Sequence, residues 1–208
     1  MYQFRLTPEE LLAAITDKTK ILILAFPSNP TGAVMTKEDL EPIAKICQEK
    51  DIYVISDEIY SELTYGGQKH CSISSLPGMK ERTITLNGFA KAYSMTGWRL
   101  GYAACNEDIV KTVNKLHQHV VTCATSFVQK AGVVALREEK EEVNDMVKEY
   151  QRRRDYAVKA INEIDGLSCR CPKGAFYIFI NIEKLGNKAD RTLDVVYEEG
   201  TDVLCKQL

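Results

Sequence analysis

The chain has 208 residues, enough for one large domain or two small ones, and its apolar share of 45% is ordinary for a globular protein. With 27 Lys+Arg against 29 Asp+Glu, the near-neutral balance excludes a basic nucleic-acid footprint and an acidic interaction tail. No apolar run reaches the length of a membrane span, and residues 1–8 lack a signal-peptide core, so a cytoplasmic protein without a membrane partner is expected.

Residues 21–26, Ile-Leu-Ile-Leu-Ala-Phe, form a continuous apolar run that reads as a strand buried on both faces, as in parallel sheets. The turn cluster Ser28-Asn29-Pro30-Thr31-Gly32 follows. Thr36 is placed to N-cap a helix to about Lys50, with Leu40, Ile43, Ala44 and Cys47 at helical spacing and Pro42 as a local conflict. Residues 52–56 predict a second short buried strand, with Asp57 at its exit and Tyr60 three residues on. Residues 83–86 predict a third strand that leads to Lys91. Residues 98–105 are again strand-like, and the short link from Leu86 implies an antiparallel return. From Asn106 the pattern turns helical. Residues 138–164 predict one long amphipathic helix, with Arg152-Arg153-Arg154 as its solvated face and Gly166 beyond its end. Residues 175–182 predict a strand, and residues 192–199 a short helix. The expected fold class is α/β, a mostly parallel sheet with flanking helices. The expected division is a partial large domain at 1–137, a connecting helix at 138–165 and a partial small α+β domain at 166–208.

The seven cysteines, at 47, 71, 105, 123, 169, 171 and 205, are odd in number and scattered. They read as reduced thiols, and neither they nor the histidines have the paired spacing of a structural metal site, so no metal is expected.

Ligands of open α/β sheets sit at the carboxyl ends of parallel strands. Three such exits carry Asn29, then Asp57 with Tyr60, then Lys91, and parallel pairing would bring them to one edge. Each group matches a need of pyridoxal 5'-phosphate. Lys91 has the amine for a Schiff base with the aldehyde, provided desolvation or the Arg99 cation lowers its pKa. Asp57 has the carboxylate for the protonated pyridine nitrogen. Tyr60 and Asn29 have donors for the ring's phenolic oxygen, and Arg99 has the fork for the phosphate. Taken singly, each residue has a plainer reading: a solvated lysine, an aspartate capping a helix, an Asn-Pro-Thr-Gly turn.

The motifs Pro27-Ser28-Asn29-Pro30-Thr31-Gly32, Ser56-Asp57-Glu58-Ile59-Tyr60, Gly88-Phe89-Ala90-Lys91 and Gly97-Trp98-Arg99-Leu100-Gly101-Tyr102 stand in the chain in that order. In this combination the chain resembles the fold-type I, class I/II aminotransferases dependent on pyridoxal phosphate, and Lys173-Gly174-Ala175-Phe176-Tyr177 is similar to their small-domain strand. The resemblance implies that Lys91 is the Schiff-base lysine and Asp57 the pyridine-nitrogen partner. It further implies Asn29 and Tyr60 as phenolic-oxygen ligands, Arg99 as the phosphate arginine, and a homodimer. The implied reaction moves an amino group from an amino acid to a 2-oxo acid. An amino-acid lyase with the same cofactor, or a truncated non-catalytic fragment, is the alternative. The chain departs from the family pattern at Gly88 and Ala90, where many members carry serines. It also resembles only part of the family's length, lacking the upstream phosphate loop and stacking aromatic and the downstream arginine for the substrate carboxylate.

Overall fold

The computed structural model describes residues 4–138 and 141–185. The short helix α1 (Pro8–Ala14) opens on Thr7, whose side chain accepts from the Glu10 amide while the Glu10 carboxylate accepts from the Thr7 amide. Strand β1 (Ile21–Ala25) then leads through the Asn29 turn to helix α2 (Lys37–Glu49). Thr36 caps α2 in a reciprocal box with Asp39, and the helix continues through Pro42. Strands β2 (Tyr53–Asp57), β3 (Thr83–Gly88) and β4 (Gly101–Ala104) complete one sheet in the order β1-β2-β3-β4. β1, β2 and β3 run parallel, with Ala25 opposite Asp57 and Asp57 opposite Leu86. β4 returns antiparallel, as the short link requires, and Gly88 pairs with Gly101.

One face of this sheet packs on α1 and α2. Leu24, Leu40, Ile43, Cys47, Ile52 and Val54 form its core with Ile73 and Met79. Burial pushes the Cys47 thiol up to about 11, with partial relief from Arg82, so it packs as an apolar group. The expectation that β1 is buried on both faces is corrected. Leu24 is buried, whereas Ile21 and Ile23 stand on the opposite face, Ile23 at 69% exposure. An apolar run records only that a strand can be covered, not that a second layer covers it.

Helices α3 (Glu107–Val120) and α4 (Ser126–Arg137) follow. Val113, Leu116 and Val120 lie along one stripe of α3, and all are exposed. Helix α5 (Glu141–Asn162) covers most of the expected long helix, but α4 is a separate helix that ends at Arg137. Val143 and Ile161 are buried along α5, and Met146, Val147 and Tyr150 pack against Tyr60 and Leu63. Ile164, expected on that apolar side, is beyond the helix and exposed.

The strand expected at residues 175–182 reduces to β6 (Ile180–Asn181), paired antiparallel with β5 (Ser168–Cys169). Ala175 takes a left-handed φ of 54°, which breaks an extended path. The segment just before it is tied elsewhere. The amides of Lys173 and Gly174 both donate to the Gly32 carbonyl at 3.0 Å, and the Ala175 amide donates to Leu63 O at 2.9 Å. The helix expected at residues 192–199 lies outside the described residues. Among the described residues, no helix is long and apolar enough to cross a membrane.

Candidate functional site

The parallel register sets the exits of β1, β2 and β3 side by side, and their loops carry the predicted groups. Asn29 stands in an exposed turn closed by Ser28 N donating to Ala33 O at 2.8 Å and Gly32 N to Ser28 O at 2.9 Å. Asp57 ends β2 and is half-buried; its Oδ1 accepts from the Ile59 amide at 3.1 Å. That bond tightens the turn into Tyr60 and leaves Oδ2 without a hydrogen bond among the described residues.

Lys91 rides on a loop anchored by two buried neighbours, Phe89 and Ala92. The Phe89 amide donates to Leu100 O, and the Met95 amide donates back to Phe89 O at 3.2 Å. Lys91 Nζ makes no ion pair or hydrogen bond among the described residues. It lies 5.9 Å from the Tyr60 ring centroid and 5.6 Å from that of Phe176, a cation–π setting. Arg99 is exposed, with a left-handed φ of 54°. One of its terminal nitrogens donates to Thr96 O at 3.1 Å, and its other donors make no bond to the described residues.

The centre of the arrangement is a residue that sequence reasoning passed over. The hydroxyls of Tyr60 and Tyr177 lie 2.7 Å apart, and Asn29 Nδ2 donates to the Tyr177 hydroxyl at 3.3 Å. Asn29 and Tyr60 thus converge on one oxygen, with Lys91 over the Tyr60 ring and Asp57 at the strand exit that leads to Tyr60. Burial, the Tyr177 hydrogen bond and the nearby negative charge of Asp57 hold Tyr60 protonated, its pKa well above the usual phenol value. Both residues that were expected to hold a phenolic oxygen therefore already hold one, that of Tyr177.

Two further features were missed. Glu58 is only 4% exposed, yet its carboxylate is fully partnered. Ser72 Oγ donates to Oε1 at 2.6 Å, Ser56 Oγ to the same oxygen at 3.0 Å, and His70 Nε2 lies 2.8 Å from Oε2. Burial raises the Glu58 pKa, but the bonds from His70 and Ser72, the His70 charge and the Ser56 bond together outweigh it, so the net shift is downward. A depressed folded-state pKa means that the stability Glu58 contributes is complete above its unfolded value. It is lost as pH falls through the lower folded value. Denaturation midpoints taken from pH 6 to pH 3 are expected to fall more steeply in the parent than in Glu58→Gln. Parallel curves would show that this carboxylate is not coupled to folding.

Arg154 corrects the reading of Arg152-Arg153-Arg154 as one solvated face. Arg152 and Arg153 do pair with Glu149 in solvent, at 2.8 Å each, and they hold its carboxyl down at about 2. Arg154 instead lies over the Tyr65 ring at 4.8 Å and donates to Pro172 O at 3.0 Å. Tyr65, with its phenol pushed up by burial to about 12 despite the Arg154 cation, donates to Ala175 O. These contacts fix the backbone that carries Phe176 and Tyr177.

Gly88 has a local reason. A Cβ there would lie 2.9 Å from Leu100 O and 3.0 Å from Gly101 Cα, so the β3–β4 pairing leaves no room for a serine.

Comparison with known proteins decides the lineage. The family model "Aminotransferase class I and II" matches residues 2–207. The chain belongs to this family, whose members use pyridoxal phosphate. An aspartate aminotransferase of Musicola paradisiaca is 44% identical over 184 residues, which is 88% of this chain and 46% of that protein. An aromatic-amino-acid aminotransferase of Thermococcus litoralis is 45% identical over 204 residues, covering 97% of this chain and 52% of the relative. The crystal structure of an aromatic aminotransferase from Pyrococcus horikoshii superposes with a TM-score of 0.90 at 46% identity. It covers 95% of this chain and 53% of the other. The chain therefore spans about half the length of the relatives it matches. The class I and II aminotransferase fold is an α/β architecture, in agreement with the mostly parallel sheet found here.

Proposed function

We propose that the chain carries the pyridoxal-phosphate site of an aminotransferase that moves an amino group from an amino acid to a 2-oxo acid. One observation carries the reading: Asn29 and Tyr60 converge on a phenol oxygen, and Lys91 Nζ, which no carboxylate claims among the described residues, lies 5.9 Å from the Tyr60 ring centre. When bound, the cofactor supplies an aldehyde carbon and an electron-withdrawing pyridine ring.

The chain's residues have distinct tasks in this reading. Asn29 Nδ2 and the Tyr60 hydroxyl hold the phenolic oxygen, and Asp57 Oδ2 holds the proton on the pyridine nitrogen. Arg99 presents its spare donors to the phosphate. Lys91 Nζ would anchor the aldehyde carbon and, once the amine of the amino acid takes its place there, would be free to accept the proton from the α-carbon. The Tyr60 and Phe176 rings orient that amine. The motif order, the family membership and the fold support this assignment of roles.

We read the organisation as a partial large domain through residue 137, a connecting helix to 165 and a partial small domain beyond. We also read the protein as a cytoplasmic homodimer acting on small amino and oxo acids. The six free cysteines among the described residues support a reducing compartment.

The test is direct. The purified chain is loaded with pyridoxal phosphate and its visible absorbance recorded, then supplied with amino-acid donors and 2-oxo acids. A new amino acid marks transfer, whereas release of ammonia or side-chain cleavage marks lyase chemistry. Asp57→Asn keeps the acceptor for the Ile59 amide but removes the charge. It is expected to retain the absorbance and to lower turnover by roughly 100- to 1000-fold, the scale for loss of one well-placed electrostatic partner. Failure of the parent chain to take up the cofactor would sink the reading.

A further inference from the structure

We propose that Tyr177 is a built-in stand-in for the cofactor's phenol. In this proposal its hydroxyl keeps Asn29 and Tyr60 set for a phenolic oxygen and must leave when that oxygen arrives. The inference rests on the cofactor reading above and adds a competing group to it.

The geometry carries the argument. A phenolic oxygen that accepts from Asn29 Nδ2 and pairs with the Tyr60 hydroxyl must sit within hydrogen-bond reach of both. The Tyr177 oxygen already occupies such a point, 3.3 Å from the first and 2.7 Å from the second. Two oxygens cannot share it. The neighbouring amine sharpens the match. In pyridoxal phosphate the phenolic oxygen and the aldehyde sit on adjacent ring carbons. A slot for that oxygen therefore needs a lysine in the same neighbourhood, and Lys91 Nζ lies over the Tyr60 ring, 5.9 Å from its centre.

The backbone delivering the stand-in is tied on two sides. Lys173 and Gly174 bond to Gly32 O, Ala175 N bonds to Leu63 O, and Tyr65 donates to Ala175 O. Displacement is therefore a side-chain rotation of Tyr177, not a movement of its backbone. The ring is half-buried, packed against the rings of Tyr60 and Phe176. While it stays, the Tyr60 hydroxyl and the Asn29 amide keep a partner in a site partly shielded from water, which avoids the penalty for unmade bonds. When the ligand enters, these bonds must break before their replacements form. The stand-in preserves the shape of the site and weakens and slows binding.

Tyr177→Phe removes the hydroxyl and keeps the ring. The parent chain and the variant are each titrated with pyridoxal phosphate, followed by visible absorbance. Both are also titrated with pyridoxamine phosphate, which cannot condense with Lys91, followed by its own fluorescence. The variant is expected to bind both about threefold to tenfold more tightly and to associate faster, the scale of one net hydrogen bond released. A variant that binds where the parent does not supports the proposal in its strongest form. Equal or weaker binding by the variant, with the parent binding normally, overturns the stand-in and leaves the cofactor reading in place. Binding of neither ligand to either protein overturns both.

Discussion

Lys91→Ala is expected to abolish the visible absorbance that pyridoxal phosphate gives with the parent chain and to lower amino transfer by about 1000- to 10000-fold. Two losses combine, the covalent anchor and the proton carrier at the α-carbon, and proton transfer alone is worth about 100- to 10000-fold. The fold should tolerate the change. Lys91 is half-buried with no ion pair or hydrogen bond among the described residues, so alanine removes only its approach to the Tyr60 and Phe176 rings. Such contacts contribute about 0.5–1 kcal/mol each at partly exposed positions. Lys91→Arg separates charge from chemistry. It preserves a cation over the same rings but cannot form the Schiff base, so it should be as inactive as alanine while melting like the parent. Spectra with and without cofactor, run beside a steady-state assay, check both points. An alanine variant that keeps the absorbance would place the reactive amine elsewhere.

Gly32→Ala is expected to destabilise the chain by about 2–5 kcal/mol. Gly32 has a φ of +65°, where an alanine side chain costs about 1–2 kcal/mol. The added Cβ would also lie 2.3 Å from Pro172 Cβ, 2.9 Å from Gly174 O and 3.1 Å from Tyr177 O. These are backbone or ring atoms without a flexible end to move aside, and overpacking of this kind costs about 1–3 kcal/mol more. The strain acts on the site as well. Gly32 O holds the Lys173 and Gly174 amides, so relief of the overlap pushes Phe176 and Tyr177 away from Asn29 and Tyr60. Chemical denaturation should show the lower midpoint, and cofactor titration a loss of affinity beyond that explained by unfolding. A variant within about 0.5 kcal/mol of the parent would mean that the two segments are not in contact.

The strand exits were legible in the sequence because each follows from local rules. Apolar runs end at Pro27 and Asp57, and a short return forces β4 antiparallel. The Thr36 cap was legible for the same reason. What stayed hidden depends on partners far along the chain. Arg154 looks like Arg152 and Arg153 until Tyr65 is placed beneath it. Residues 175–182 carry strand-forming side chains, yet the bonds to Gly32 and Leu63 and the left-handed Ala175 take the backbone off a strand path. Glu58 resembled one more polar residue after a strand, and only the fold brings His70 and Ser72 to it. Tyr177 was read within a motif as part of an aromatic strand, because nothing near it in sequence announces a hydroxyl partner.

The contact between Asn29 and Tyr177 joins residues 148 positions apart, and that between Tyr60 and Tyr177 spans 117. Closing loops of that length is slow compared with zipping α2 or pairing β3 with β4, whose contacts are local. The sheet and its helices can thus assemble before the phenol slot exists. Cofactor capture in a refolding mixture would then time the last long-range closure, lagging behind recovery of helical circular dichroism.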